Sequence, residues 1–125
     1  VTTTAAAATE AAGQQSGILD QVYKFIQTAK ARAADGLTWA EFGELLLALL
    51  RLVVPALEGV RLMTGAEKKA FALDAVGRLF DATADYAIPV AAYPLWVLAR
   101  PAVRALVLAI AGGVLEQYLA FLRGR

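Results

Sequence analysis

The sequence contains no histidine and no cysteine. Their absence removes the usual general base near neutral pH, the commonest transition-metal ligands, and all thiol and disulfide chemistry. Charged residues are also sparse, at 18% against about 25% in ordinary soluble domains. Net charge is only +1, with 8 basic and 10 acidic groups in residues 1–85 and 4 basic and 1 acidic in residues 86–125. A nucleic-acid footprint needs a clustered excess of Lys and Arg, so no nucleic-acid partner is expected. No glycine-rich phosphate loop, Walker pattern or nucleophile elbow occurs. The expectation is a protein that is not an enzyme and carries no cofactor and no metal.

What the chain has in excess is apolar surface. Apolar residues make up 59% of its 125 residues, where about 45–50% is usual. A chain of this length builds one modest core. The surplus must enter that core, a subunit interface or a membrane.

The pattern is helical almost throughout. Residues 1–15 form an Ala/Thr-rich, low-complexity tail without periodicity, and residues 16–125 read as a single bundle domain. Ile18, Val22, Phe25, Ile26, Ala29 and Ala33 recur at helical spacing after Ser16, a candidate N-cap, and before Gly36, a candidate C-terminal stop. Thr38 and Glu41 then form a capping box, in which each side chain satisfies a first-turn amide of the other residue. Leu37 and Phe42 suit the hydrophobic staple that accompanies such a box. Trp39, Phe42, Leu46, Leu49, Leu50, Val53, Leu57 and Val60 mark the inner face of this helix. Pro55 predicts a kink or break, because it removes the amide that would bond the Arg51 carbonyl. Thr64 and Glu67 form a second capping box, opening a helix from Gly65 to Tyr86. Phe71, Val76, Leu79 and Phe80 are its expected inner residues, and Asp74, Arg78, Asp81 and Asp85 its expected solvated stripe. The short links Gly36–Leu37 and Met63–Thr64 imply helices that turn back on one another.

The last third contains Pro89, Pro94 and Pro101. Proline is tolerated in a first helical turn, so a short helix from Pro94 to Ala99 and a final helix from Pro101 to Leu122 are predicted. Val103, Leu106, Val107, Ile110, Val114, Leu115, Tyr118 and Leu122 are expected to form the core stripe of the final helix. The fold class that follows is all-α: a compact bundle of four to five helices with a low-complexity N-terminal tail.

Few constellations suggest chemistry. Glu41/Glu44 and Asp81/Asp85 pair carboxylates at helical spacing, but di-metal bundles add Glu-x-x-His motifs, and these pairs fall on solvated stripes. Lys68 and Lys69 suit either a phosphate contact or a wet first turn. Arg100 and Arg104 share a face if the helix continues through Pro101, where they suit an acidic partner or solvent. The aromatic residues read as core or interface anchors.

The segment TGAEKKAFALDAVGRLFD (Thr64–Asp81) resembles one that recurs in small helical proteins of phages and large DNA viruses, including LLH-type phage holins. Those segments have the form Thr/Ser-Gly-x-Glu-Lys-Lys followed by an apolar helical run. A proline-containing apolar helix tends to follow, and YPLWVLARPAVRALVLAIAGGVL has that character. The chain lacks the clean N-terminal membrane span and the long charged coiled coil of the holins. The resemblance implies a non-enzymatic viral or virus-like helical protein.

A spanning helix needs about 20 apolar residues, whereas the longest charge-free run after the tail, Tyr86–Ala99, has 14 residues and two prolines. A structural subunit of a larger assembly, in a virion or the cytoplasm, is therefore expected ahead of an integral membrane protein. Its partners would be other protein chains, in a homo- or hetero-oligomer. The alternative is a holin-like or peripheral protein on a membrane surface. The candidate interface comprises Trp96, Arg100, Arg104, Leu108, Gly112, Gly113, Leu119 and Phe121. Gly112 and Gly113 are expected to allow close approach of another helix.

Overall fold

Two threonines start the two central helices. In the computed structural model, which describes residues 2–60 and 63–123 and the side chains of 16–60 and 63–117, both capping boxes form. The Thr38 hydroxyl accepts from the Glu41 amide at 3.0 Å, and the Glu41 carboxylate accepts from the Thr38 amide at 3.1 Å. Thr64 and Glu67 repeat the exchange at 3.1 and 3.0 Å. Two otherwise orphaned amides are thus satisfied at each start.

Among the described residues the chain is a compact all-α bundle of four helices: α1 (Thr2–Ala33), α2 (Trp39–Glu58), α3 (Gly65–Thr83) and α4 (Tyr93–Arg123). Short 3-10 turns at Ala84–Ala87 and Val90–Ala92 join α3 to α4. The third helix is central and packs against the other three, while α1 and α2 also pack on each other. The fourth lies principally along α3.

The core sits where the three amphipathic stripes meet. Val22 from α1, Leu49 and Val53 from α2, and Val76, Leu79 and Phe80 from α3 are fully buried. Each such side chain contributes about 1.5–3 kcal/mol through removal from water. At one end Trp39, Phe42, Phe80 and Trp96 form an aromatic chain with successive ring centroids 5.7–6.1 Å apart, within the favourable range for tilted and edge-on pairs. Trp39 itself is partly exposed. Leu37 packs against this core from the α1–α2 link, and its amide donates to the Tyr86 carbonyl at 3.3 Å. Gly36 carries the turn at φ +111°, a conformation that costs glycine little and other residues much.

Several boundaries differ from those expected. The Ala/Thr-rich segment continues α1 from Thr2, so Ser16 lies inside a helix and caps nothing. Alanine is the best helix former, and adding turns to an existing helix avoids the nucleation cost. Both Pro55 and Pro101 lie within helices that continue past them. Each proline, and the residue four positions before it (Arg51 and Val97), is exposed, so water can take the carbonyl that loses its amide partner. The separate helix over Pro94–Ala99 is consequently the first part of α4. The third helix ends at Thr83 rather than Tyr86, and the next residues tighten into a 3-10 turn.

Candidate interaction surface

The fourth helix is rotated relative to its sequence pattern. Its inner face comprises Trp96, Arg100, Val103, Arg104, Val107, Leu108, Ala111, Gly112 and Leu115, all buried or half-buried and spaced by three or four. Two arginines, an alanine and a glycine are on that face. Larger apolar residues point away: Leu95 is 73% exposed, Leu98 80%, Leu106 59% and Ile110 55%.

Charge complementarity accompanies this rotation. Asp81 near the end of α3 and Asp85 in the 3-10 turn that follows are four residues apart, and Arg100 and Arg104 are four apart on α4. Arg104 grips Asp81 with a fork, Nε to Oδ1 at 3.0 Å and Nη2 to Oδ2 at 3.2 Å. Arg100 donates from Nε to Asp85 Oδ1 at 3.0 Å, and its Nη1 lies 3.5 Å from Asp81 Oδ1. The same Asp85 oxygen accepts the Trp96 indole N–H at 2.7 Å. The Arg100 guanidinium also stands over the Phe80 ring, 5.3 Å from its centroid, a cation–π contact. Further along, Lys69 pairs with Glu116 at 2.6 Å. Pairs this exposed are individually worth about 0–1 kcal/mol. They all lie on the face of α4 that meets α3.

Burial pushes the Asp85 carboxyl upward, but hydrogen bonds from Trp96 and Arg100 and the Arg100 charge outweigh it and hold the group below its ordinary value. Glu67 is likewise lowered, chiefly by the hydrogen bond from the Thr64 backbone and then by that from its side chain. These shifts have structural causes, a helix–helix tie and a helix cap.

Glycine at 77 makes room for this network. A Cβ there would lie 2.5 Å from Arg104 Nη2. Gly112 also faces α3, but a Cβ there would meet Lys69 Cε at 3.8 Å, an ordinary contact. Gly113 faces open space. Close approach of a helix is therefore not what requires either of these two glycines within the bundle.

The candidate interface from the sequence divides accordingly. Trp96, Arg100, Arg104, Leu108 and Gly112 are buried or half-buried on the face of α4 that meets α3 and the core. Gly113 faces outward. Leu119 and Phe121, with Tyr118 and Leu122 of the expected core stripe, lie outside the described side chains. Within that stripe Leu115 is buried and Val103 and Val107 are half-buried, whereas Leu106, Ile110 and Val114 are exposed. Asp81, expected in solvent, is exposed and Asp85 is half-buried, and both also pair with arginines of α4. The signal that identifies this arrangement was present: two acids and two arginines share one four-residue spacing, so they can pair across neighbouring helices.

The outer surface of α4 between Tyr93 and Gln117 carries no paired or free arginine, because both arginines of that segment face α3. Among the described residues one helical stretch, Val90–Gln117, is long and apolar enough to cross a membrane, and only 11% of its most apolar window is buried. Buried core helices share such composition, but this one is mostly uncovered. Among the described residues no group of His, Cys, Asp or Glu could hold a metal ion. The chain matches no family model, and comparison with curated proteins and with solved structures finds no match.

Proposed function

We propose that this chain is a non-enzymatic helical subunit that joins a larger assembly by docking the outer face of α4 on another protein chain. The observation that carries the proposal is the orientation of that helix. Leu95, Leu98, Leu106 and Ile110 form one apolar strip with more than half of each residue exposed. The distance from Leu95 to Ile110 along a helix is about 22 Å, so the strip runs over roughly four turns. Contiguous apolar patches beyond a few hundred Å² usually mark an interaction site.

The non-enzymatic reading rests on the side chains available. Histidine and cysteine are missing from the composition, and Asp81, Asp85 and Glu67 are engaged by arginines or by a helix start. The resemblance of Thr64–Asp81 to helical viral proteins makes a virion the first assembly to test.

A membrane surface is the second reading, favoured by the length of the Val90–Gln117 segment. A full crossing would draw Arg100 and Arg104 into the bilayer, each at about 2.5–3.5 kcal/mol near the centre on insertion scales. Docking on protein leaves their pairs with Asp81 and Asp85 intact. Sedimentation of detergent-free protein separates the readings. Concentration-dependent association, abolished in Leu98→Glu/Ile110→Glu with helix content unchanged, supports docking on protein. Partition of the parent into the membrane fraction supports the second reading.

A further inference from the structure

A separate apolar groove lies between α2 and α4. Its walls are Leu47, Leu50, Val54 and Pro55 from α2 and Val114 and Leu115 from α4, around a volume of about 210 Å³. It exists because α4 rests mainly on α3 and leaves a gap beside α2. Among the described residues Arg51 is the only ionisable one on its wall. Arg51 is exposed, and it has no ion-pair partner among the described residues.

We infer that this groove binds an anionic amphiphile: a single acyl chain between α2 and α4, with its carboxylate on Arg51. The size suits such a chain. An enclosed apolar cavity of about 150 Å³ already holds benzene, and this groove is somewhat larger and open at one side. A whole helix does not fit the space. The charge selects the occupant further. A purely apolar ligand would make no use of the guanidinium at the rim, nor would the uncharged outer face of α4 from a second copy. A carboxylate joined to an alkyl chain meets both features, through a charge-assisted hydrogen bond at the head and apolar burial of the tail. Most ligand sites have this composition, apolar walls with a few polar groups that fix orientation. Glu58, further along α2, is not on the wall and lines a smaller neighbouring recess with Lys68 and Lys69. The inference stands whatever covers the outer face around Leu98 and Leu106.

The test is a titration of the full chain with octanoate below its micellar concentration, followed by amide NMR shifts, with octan-1-ol as the uncharged control. The expected result is saturable shifts at Leu47, Leu50, Val54 and Val114, with octanoate bound about tenfold more tightly than octan-1-ol. Val114→Trp, which fills the groove from an exposed position, weakens octanoate at least tenfold. Arg51→Gln removes the preference for octanoate over octan-1-ol. Circular dichroism identical to the parent confirms that both variants are folded. The inference is overturned if neither ligand shifts the groove residues, or if shifts centre on Leu98 and Leu106. It is equally overturned if octanoate and octan-1-ol bind alike in the parent, or if only anionic vesicles, and not monomeric octanoate, bind.

Discussion

Trp96 donates its indole N–H to Asp85 at 2.7 Å, so α4 starts with an aromatic residue turned in and its neighbours Leu95 and Val97 turned out. The same carboxylate oxygen receives Arg100. Asp85 therefore anchors the rotation of α4 about its own axis.

Asp85→Ala removes both partners' acceptor at once. It leaves the indole of buried Trp96 without its hydrogen bond and Arg100 without its closest carboxylate. A lost hydrogen-bond partner at a buried group costs about 1–3 kcal/mol, and the partial exposure of Asp85 places the expected loss near the lower end. Chemical denaturation of the parent and the variant measures it. Equal midpoints would mean that this tie does not orient α4.

Asp85 also sets an acid limit. Its folded-state pKa lies below the ordinary carboxyl value, so the unfolded chain takes up the proton first as pH falls. The associated stability is complete above the unfolded-state value of about 3.9. It declines below that pH and is fully lost once pH passes through the lower folded-state value. Stability measured from pH 5 downward should fall less steeply in Asp85→Asn than in the parent. Parallel curves would contradict the assignment.

The helix starts give a third test. Thr38→Ala and Thr64→Ala each remove an acceptor for a first-turn amide, at an expected cost of about 0.5–2 kcal/mol. Thermal melts of the two single variants measure this. In Thr64→Ala, Glu67 also loses the side-chain hydrogen bond that helps to lower its pKa, so its titration should shift upward. Unchanged melts in both variants would show that the boxes contribute nothing to the fold.

Much of the bundle is legible in the sequence because three helices obey the usual rule of apolar residues inward. Ile18, Val22, Ile26, Phe42, Leu49, Val53, Val76, Leu79 and Phe80 are all buried, and each is legible from helical spacing. The starts of α2 and α3 are legible because a capping box is local chemistry within four residues. The rotation of α4 is not legible from hydropathy, since Ile110 is far more apolar than Arg104 yet points outward. The face that is buried carries a pairwise match, Asp81 and Asp85 with Arg100 and Arg104, which a one-helix pattern does not contain. The continuity of α1 and α4 is hidden in the sequence for a different reason. An alanine run without periodicity still has high helix propensity, and an exposed mid-helix proline frees only one carbonyl, which water can satisfy.

The most direct measurement of the rotated helix uses the absence of native cysteine. Single-cysteine variants Ile110→Cys and Ala111→Cys place a reactive thiol on adjacent residues of opposite faces. In dilute, unassembled protein the thiol at 110 should react with a maleimide about as fast as an unstructured peptide thiol, and the thiol at 111 at least tenfold more slowly. In the assembled state the reaction at 110 should also become slow, because the outer face is covered. Fast labelling at 111 with slow labelling at 110 in dilute protein would place the apolar face of α4 inside the bundle and remove the docking surface altogether.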